Sequence, residues 1–314
     1  MQEKEHKICI YQKKAVILRC KIENNMSELV KRTLSGAVYV AAVVGSILWH
    51  PLAFGILFFV VCLWGVDEFH RLMGSSAVAR GGSMVCAALL WIAAMWRIAA
   101  PIGLRHSWGI YALIGAAYVL ILAATLLEEL WSKAANPVAN WGNVLISQTM
   151  IAVPFCSLCA LMALDKWILL ALFVLMWVND SGAYCVGTLT AKRAEGNHKM
   201  FPRVSPKKSW EGLFGGMAFA IGAAYILHRY GWFDSIAANA WGEVIIILFA
   251  LIATGFGTLG DLMESLLKRT IGVKDSGKFL PGHGGVLDRF DSILLAAPII
   301  AVYSWLCFAA SSLL

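Results

Sequence analysis

Apolar residues run through this chain in long uninterrupted stretches, separated by short polar segments. A helix that crosses a bilayer needs ~20 mostly apolar residues, and the stretches have that scale. Thr33 to Val66 carries no charge, and His50-Pro51 breaks it near its middle. It is too long for one crossing, so it predicts a tight helical hairpin. A weaker run covers Gly81 to Trp96 and extends past Arg97. Ser107 to Leu127 and Trp141 to Leu164 are two further spans, and Trp167 to Asn179 is very apolar but meets Asp180. Gly212 to Leu227, Val244 to Gly260 and Ser292 to Leu314 complete the set. The pattern predicts an all-α, polytopic integral membrane protein of about nine transmembrane helices, the third and seventh having the weakest signal. It divides the chain into a polar, basic N-terminal tail (1–32), an N-terminal membrane region of about five spans (33–164) and a C-terminal membrane region (165–314). Two polar motif loops, 179–212 and 261–291, belong to the last of these.

Composition narrows the class. Of the 314 residues, 60% are hydrophobic and 14% charged, and the mean hydropathy is +0.72. A soluble domain carries ~25% charged residues, so a soluble enzyme, a disordered chain and a nucleic-acid-binding domain are all excluded. The net charge is +7. The cations sit between apolar runs, where they suit anionic lipid or phosphate partners.

Lys and Arg collect on the cytoplasmic side of membrane proteins. With the N-terminus inside, all but four of the 26 Lys and Arg fall on the inner face, the exceptions being Arg97, Arg105, Lys166 and Arg229. This orientation puts both motif loops in the cytoplasm and the C-terminus outside. No A-x-A-like site follows a short apolar core, so the first span does not read as a cleaved signal. No transit-like segment is evident, which favours a bacterial inner membrane over an organelle. Among the eight cysteines, Cys156 and Cys159 form a C-x-x-C. The run around them has no charge and no second ligand pair, so they read as buried small side chains.

Candidate chemistry concentrates in the two loops. The first opens Asn179-Asp180-Ser181-Gly182-Ala183-Tyr184 and closes Ser205-Pro206-Lys207-Lys208-Ser209-Trp210-Glu211-Gly212. An acid at membrane depth, such as Asp180, marks a functional site by default; the plainer alternative is a helix-end Asp reaching the headgroups. The bases from Lys192 to Arg203 read best as topology signals and lipid-headgroup contacts. Pro206 and the flanking serines give Ser205–Ser209 a definite shape.

In the second loop Asp261, Glu264, Ser265 and Lys268 recur at i, i+3, i+4 and i+7 and share a helix face. Glycine-rich backbone follows, with His283-Gly284-Gly285, and such backbone can approach phosphates closely. Asp288 and Asp291 then lie one helical turn apart. With Asp261 and Glu264 they make a candidate carboxylate cage for Mg2+, which takes hard oxygen ligands and shares its shell with phosphates and water. Lys268, Arg269, Lys274, Lys278 and Arg289 would face it as a phosphate clamp. His283 reads chiefly as a phosphate donor or loop-shaping residue. Gly272-x4-Gly277-Lys278 mimics a P-loop, but Phe279 replaces the required hydroxyl residue and no strand precedes it.

These residues resemble the phosphatidate cytidylyltransferase (CDP-diacylglycerol synthase) family. Its signature is matched by Ser265, Lys268-Arg269, Lys274-Asp275, Gly277, Pro281, His283-Gly284-Gly285, Asp288-Arg289 and Asp291 at every defined spacing. The segments around Asp180 and Ser205–Gly212 look like further family motifs. The resemblance covers roughly residues 165–314 by motif and the first half by hydropathy; the stretch before Met26 departs from it. It implies a Mg2+-dependent reaction of CTP with phosphatidic acid that gives CDP-diacylglycerol and pyrophosphate, in a protein that is often a homodimer. By the same resemblance, Asp261 and Asp288 would be metal ligands, with Glu264 and Asp291 as further partners. Lys268, Arg269, Lys274 and Arg289 would clamp phosphates. Ser205, Lys207, Lys208 and Ser209 would hold nucleotide or lipid phosphate, and Asp180 would contact the nucleotide or complete the cavity.

Two rival classes remain in view. A CTP-dependent polyprenol or lipid kinase would share the chemistry. A transporter would carry its charges near span midplanes, often with repeat symmetry, whereas here they gather at one face.

Overall fold

The computed structural model describes residues 33–100, 104, 107–134, 136–192, 196–277 and 284–311. The expected N-terminal tail at 1–32 lies outside them. Among the described residues, eight helices are long and apolar enough to cross a bilayer, and a shorter apolar helix, α1 (Thr33–Trp49), precedes them. The chain is a polytopic, all-α membrane protein with one small hairpin of strands.

The break expected at His50-Pro51 is real. His50 is extended, and its ring accepts a bond from Leu52 N at 3.1 Å. Pro51 then starts α2 (Pro51–Leu72), where a missing N–H has no consequence for the helix ladder. Next come α3 (Ala77–Ala99) and α4 (Trp108–Glu128). The fifth span is α5 (Pro137–Ser147) joined by a π turn (Gln148–Ala152) to α6 (Val153–Leu164). Pro154 accounts for the π turn, because its ring displaces the carbonyl one turn earlier. Asp165 ends α6 and caps α7 (Lys166–Ala191) through Trp167 N at 2.9 Å.

Two boundaries differ from the hydropathy pattern. Helix α7 does not stop at Asn179 but carries Asp180 to Tyr184 as helix and ends only at Ala191. Asp180 interrupts hydropathy without interrupting hydrogen bonding, and Gly182 lets α7 pack against Phe219. Likewise the last helix, α11 (Leu287–Ser311), begins before Ser292, so Asp288, Arg289 and Asp291 lie in its first turns.

Between α7 and α8 (Trp210–Arg229) the chain forms an antiparallel hairpin, β1 (Lys199–Phe201) and β2 (Ser205–Ser209), which pairs Lys199 with Ser209 and Phe201 with Ser205. It replaces part of the expected loop. A short α9 (Asp234–Ala237) and the long α10 (Gly242–Thr270) complete the chain.

Helices from both halves share one core. Phe58 meets Phe155, Phe173 and Phe290 at 6.4, 5.8 and 6.0 Å between ring centroids. Tyr39 of α1 meets Phe290 at 5.6 Å and Trp177 at 6.2 Å. Apolar side chains on the outer faces, such as Leu113, Leu120, Phe219 and Leu306, are exposed, as a lipid-facing surface requires. Trp49, Trp108, Trp131, Tyr230 and Trp241 stand exposed at helix ends, the usual place for interfacial aromatics. Cys156 and Cys159 are free and lie within α6.

Candidate active site

A cleft of about 520 Å3 opens between α7, the hairpin, the start of α8 and α10. Asp180, Tyr184 and Gly187 line one wall, Lys207, Lys208 and Ser209 the other, and Thr258 and Asp261 the base. Glycines bring the walls together. A Cβ on Gly216 would lie 2.6 Å from Asn179 Oδ1, and one on Gly212 would lie 3.0 Å from the Ala183 carbonyl.

The hairpin is locked onto α8. His198 N donates to both Glu211 carboxylate oxygens at 3.0 and 3.1 Å, and its ring Nδ1 lies 2.6 Å from Oε1. Ser209 caps α8, accepting from Gly212 N at 3.2 Å. Its hydroxyl therefore has a structural partner in the place where phosphate binding was expected. Lys208 Nζ reaches across to Asp261 Oδ2 at 2.5 Å and donates to Thr258 O at 3.4 Å. This contact joins the two motif regions. Lys207 is exposed on the cleft, and Ser205 is held in the hairpin.

On α10 the expected polar stripe is one connected set. Ser265 donates to Asp261 Oδ1 at 3.2 Å, and Lys268 Nζ lies 2.5 Å from Glu264 Oε2. Lys268 also donates to Asp288 Oδ1 at 2.5 Å. Asp288 Oδ2 accepts from Ser276 N, Ser276 Oγ and Gly285 N at 2.8, 2.9 and 2.7 Å. Asp291 accepts from Ser292 N at 2.6 Å. A Cβ on Gly260 would meet the Asp291 carbonyl at 2.6 Å, so a glycine is what lets α10 and α11 cross beside these acids. Phe290, buried in the core, fixes the turn that carries Asp288 and Asp291.

Asp291 lies within electrostatic reach of Asp261, Glu264 and Asp180, and Lys208 and Arg289 lie within reach of Asp180. Arg289 Nε and Glu264 Oε1 are buried without a hydrogen-bond partner. Among the described residues, no three His, Cys, Asp or Glu side chains converge on one metal-sized point, so the expected cage is not preformed. The donor set still fits Mg2+. That ion is usually held by one or two carboxylates, with water and substrate phosphates completing the shell, and Glu264 offers an oxygen with no donor. Asp288 Oδ1 has one donor and so keeps a lone pair.

The remaining expected residues are more peripheral. Arg269 is exposed and donates to Val273 O at 3.2 Å. Lys274 is exposed in the segment after α10. Lys278 and His283 lie outside the described residues. Gly284, at φ 84°, and Gly285 approach carboxylates rather than open space: a Cβ on either would run into Asp288 or Glu68.

Glu68 of α2 is the residue that motif reading misses. It is 6% exposed and accepts from Val286 N at 3.0 Å, Leu287 N at 3.1 Å and the Ser276 hydroxyl. The available signal was an acidic pair, Asp67-Glu68, closing an otherwise apolar helix, the same kind of signal that singled out Asp180.

Comparison with known proteins gives a consistent answer. The profile of the cytidylyltransferase family matches residues 30–307. A phosphatidate cytidylyltransferase of Bacillus subtilis is 31% identical over 278 residues, which is 88% of this chain and 97% of that protein. One from Haemophilus influenzae is 36% identical over 60% of this chain and 64% of its own length. One from Staphylococcus epidermidis is 42% identical over 44% of this chain, and the match spans about half (48%) of that relative. With the family profile covering nearly the whole membrane region, this chain belongs to the cytidylyltransferase family.

Proposed function

We propose that the protein transfers the cytidylyl group of CTP to phosphatidic acid, giving CDP-diacylglycerol and pyrophosphate. The observation that carries this reading is the cleft in which the Lys207-Lys208 hairpin faces the Asp180 and Asp261 acids, within a chain of this family. The phosphate oxygen of phosphatidic acid attacks the α-phosphorus of CTP. A new P–O bond forms, the bond to the β-phosphate bridging oxygen breaks, and its electron pair leaves with pyrophosphate. A phosphate monoester has a second pKa of ~6, so it is already ionised near neutral pH and needs no strong base.

The task is to bring two polyanions together and stabilise the leaving group by positioning and electrostatics. Lys207 and Lys208 would bind phosphate at the cleft wall, with Arg289 and Lys268 as further cations among the acids of α10 and α11. Arg269 and Lys274 would meet phosphate from the exposed rim. Asp261 and the free lone pair of Asp288 would hold Mg2+, with Glu264 and Asp291 as outer partners and with water and substrate phosphates completing the shell. The ion, when bound, neutralises phosphate charge in the transition state. The Lys and Arg distribution supports a site on the cytoplasmic side, where CTP is found, and the bacterial relatives support a bacterial inner membrane.

The test is pyrophosphate release by detergent-purified protein given CTP, phosphatidic acid and Mg2+. Release that requires both CTP and lipid and stops with EDTA is expected. Release without lipid, or equal turnover with ATP, would count against the reading. Transfer from CTP to a polyprenol instead would select the kinase.

A further inference from the structure

The motif residues of the C-terminal half hold much of their own geometry, but one carboxylate that fixes their glycine-rich segment comes from α2, in the half of the chain that carries none of the motifs. Glu68 lies against both ends of the glycine-rich segment. At one end it takes the Ser276 hydroxyl, and at the other the N–H groups of Val286 and Leu287. Gly277 and Gly285 both lie so close that a Cβ on either would overlap its carboxylate. Val286 immediately precedes α11 and Leu287 begins it, and the first N–H groups of a helix have no partner within it. A carboxylate there is favoured by the helix dipole as well as by its hydrogen bonds.

The same segment holds Asp288. Ser276 N, Ser276 Oγ and Gly285 N converge on Asp288 Oδ2, while Lys268 holds Oδ1. Ser276 is thus shared between two carboxylates, and its single hydroxyl proton serves one of them at a time. We propose that Glu68 is a positioning residue for the transfer reaction: by fixing Ser276 and the 285–287 backbone it sets the Asp288 carboxylate against Lys268. The proposal rests on the functional reading given above.

The test uses full-length protein in detergent, comparing E68Q, S276A and the double variant with the wild type. Gln keeps the size of Glu but turns an N–H donor toward donors, so at least one loses its acceptor. A hydrogen bond to a charged group contributes about 1.5–3 kcal/mol, which corresponds to a fall in kcat of about 10- to 100-fold. The expected result is that fall in E68Q, with KM for CTP changed less than about 3-fold and the melting midpoint close to wild type. S276A should fall less, and the double variant should be little worse than E68Q alone, since the two act through one contact. Amide hydrogen exchange of the 284–291 peptide should quicken in E68Q, with the α4 peptides unchanged.

Wild-type kcat in E68Q, additive losses in the double variant, or activity lost only in proportion to unfolded protein would each overturn the proposal. Should E68Q fail to fold, S276A decides alone, and an unchanged kcat there overturns it. A wild type inactive in the pyrophosphate assay would overturn the functional reading and the catalytic role together. The exchange result would then show separately whether Glu68 holds the segment.

Discussion

Lys208 and Asp261 meet at 2.5 Å across the cleft, both side chains partly exposed. An ion pair in that setting contributes little to stability, typically 0–1 kcal/mol. Its value would lie in having a cation ready for phosphate beside an acid ready for a metal ion. Lys208→Ala should therefore raise KM for CTP by about 10-fold or more, the value of one charge-assisted contact, and leave the melting midpoint nearly unmoved. Unchanged kinetics would remove Lys208 from the binding site. At this scale the candidate residues were legible in part. Lys208, Asp261, Lys268 and Asp288 could be named because fixed spacing along one chain segment is a local property. Glu68 carried only the signal of an acid closing an apolar helix, and its contacts were not legible, because its partners lie 208 to 219 residues away in sequence.

Helices α7 and α8 form the cleft by approaching closely, and their glycines make that approach possible. Gly182, Gly212, Gly215 and Gly216 each face side-chain or backbone atoms that leave no room for a Cβ without movement. Overpacking such a contact costs about 1–3 kcal/mol. Gly216→Val should therefore lower the melting midpoint by several degrees and, by parting Asp180 from the hairpin, lower activity as well. Gly222→Val on the same helix meets nothing within 4 Å and should match wild type apart from a small loss of helix flexibility. Equal stability of the two variants would refute the close-packing account. Hydropathy places these helices but not their ends. Asp180 and Asp288 read as breaks in an apolar pattern, whereas α7 runs on through Asp180 and α11 has already begun before Asp288.

For the whole molecule, the charge pattern predicts that the hairpin and the α10–α11 segment share one side of the membrane and the α8–α10 connection lies on the other. In a background with Cys9, Cys20 and Cys185 replaced by Ser, Lys207→Cys and Lys274→Cys should react with a membrane-impermeant maleimide from the cytoplasmic side. Asn239→Cys should react from the opposite side. Labelling of Lys207→Cys and Asn239→Cys from the same side would break the nine-span topology. The large exposed apolar surface, from Leu113 and Leu120 on α4 to Leu306 on α11, is consistent with a chain whose solvent is lipid.

The bilayer is a nearly uniform solvent of fixed thickness, so runs of apolar residues alone marked where the helices lie; among the described residues eight of the nine expected spans are long enough to cross it, and α1 is shorter. Motif spacing determined which polar residues to watch, because i, i+3, i+4 and i+7 on α10 must share a face whatever surrounds them. Tertiary structure decided how those residues divide their work. Asp288 is held by four donors, Lys268 is shared between two carboxylates, and Ser209 serves a helix cap. It also decided that an acid of the second helix meets the segment that carries Asp288. Those outcomes depend on where helices cross, and crossing is set by side-chain volume and glycine gaps between segments far apart in the chain, which no local pattern encodes.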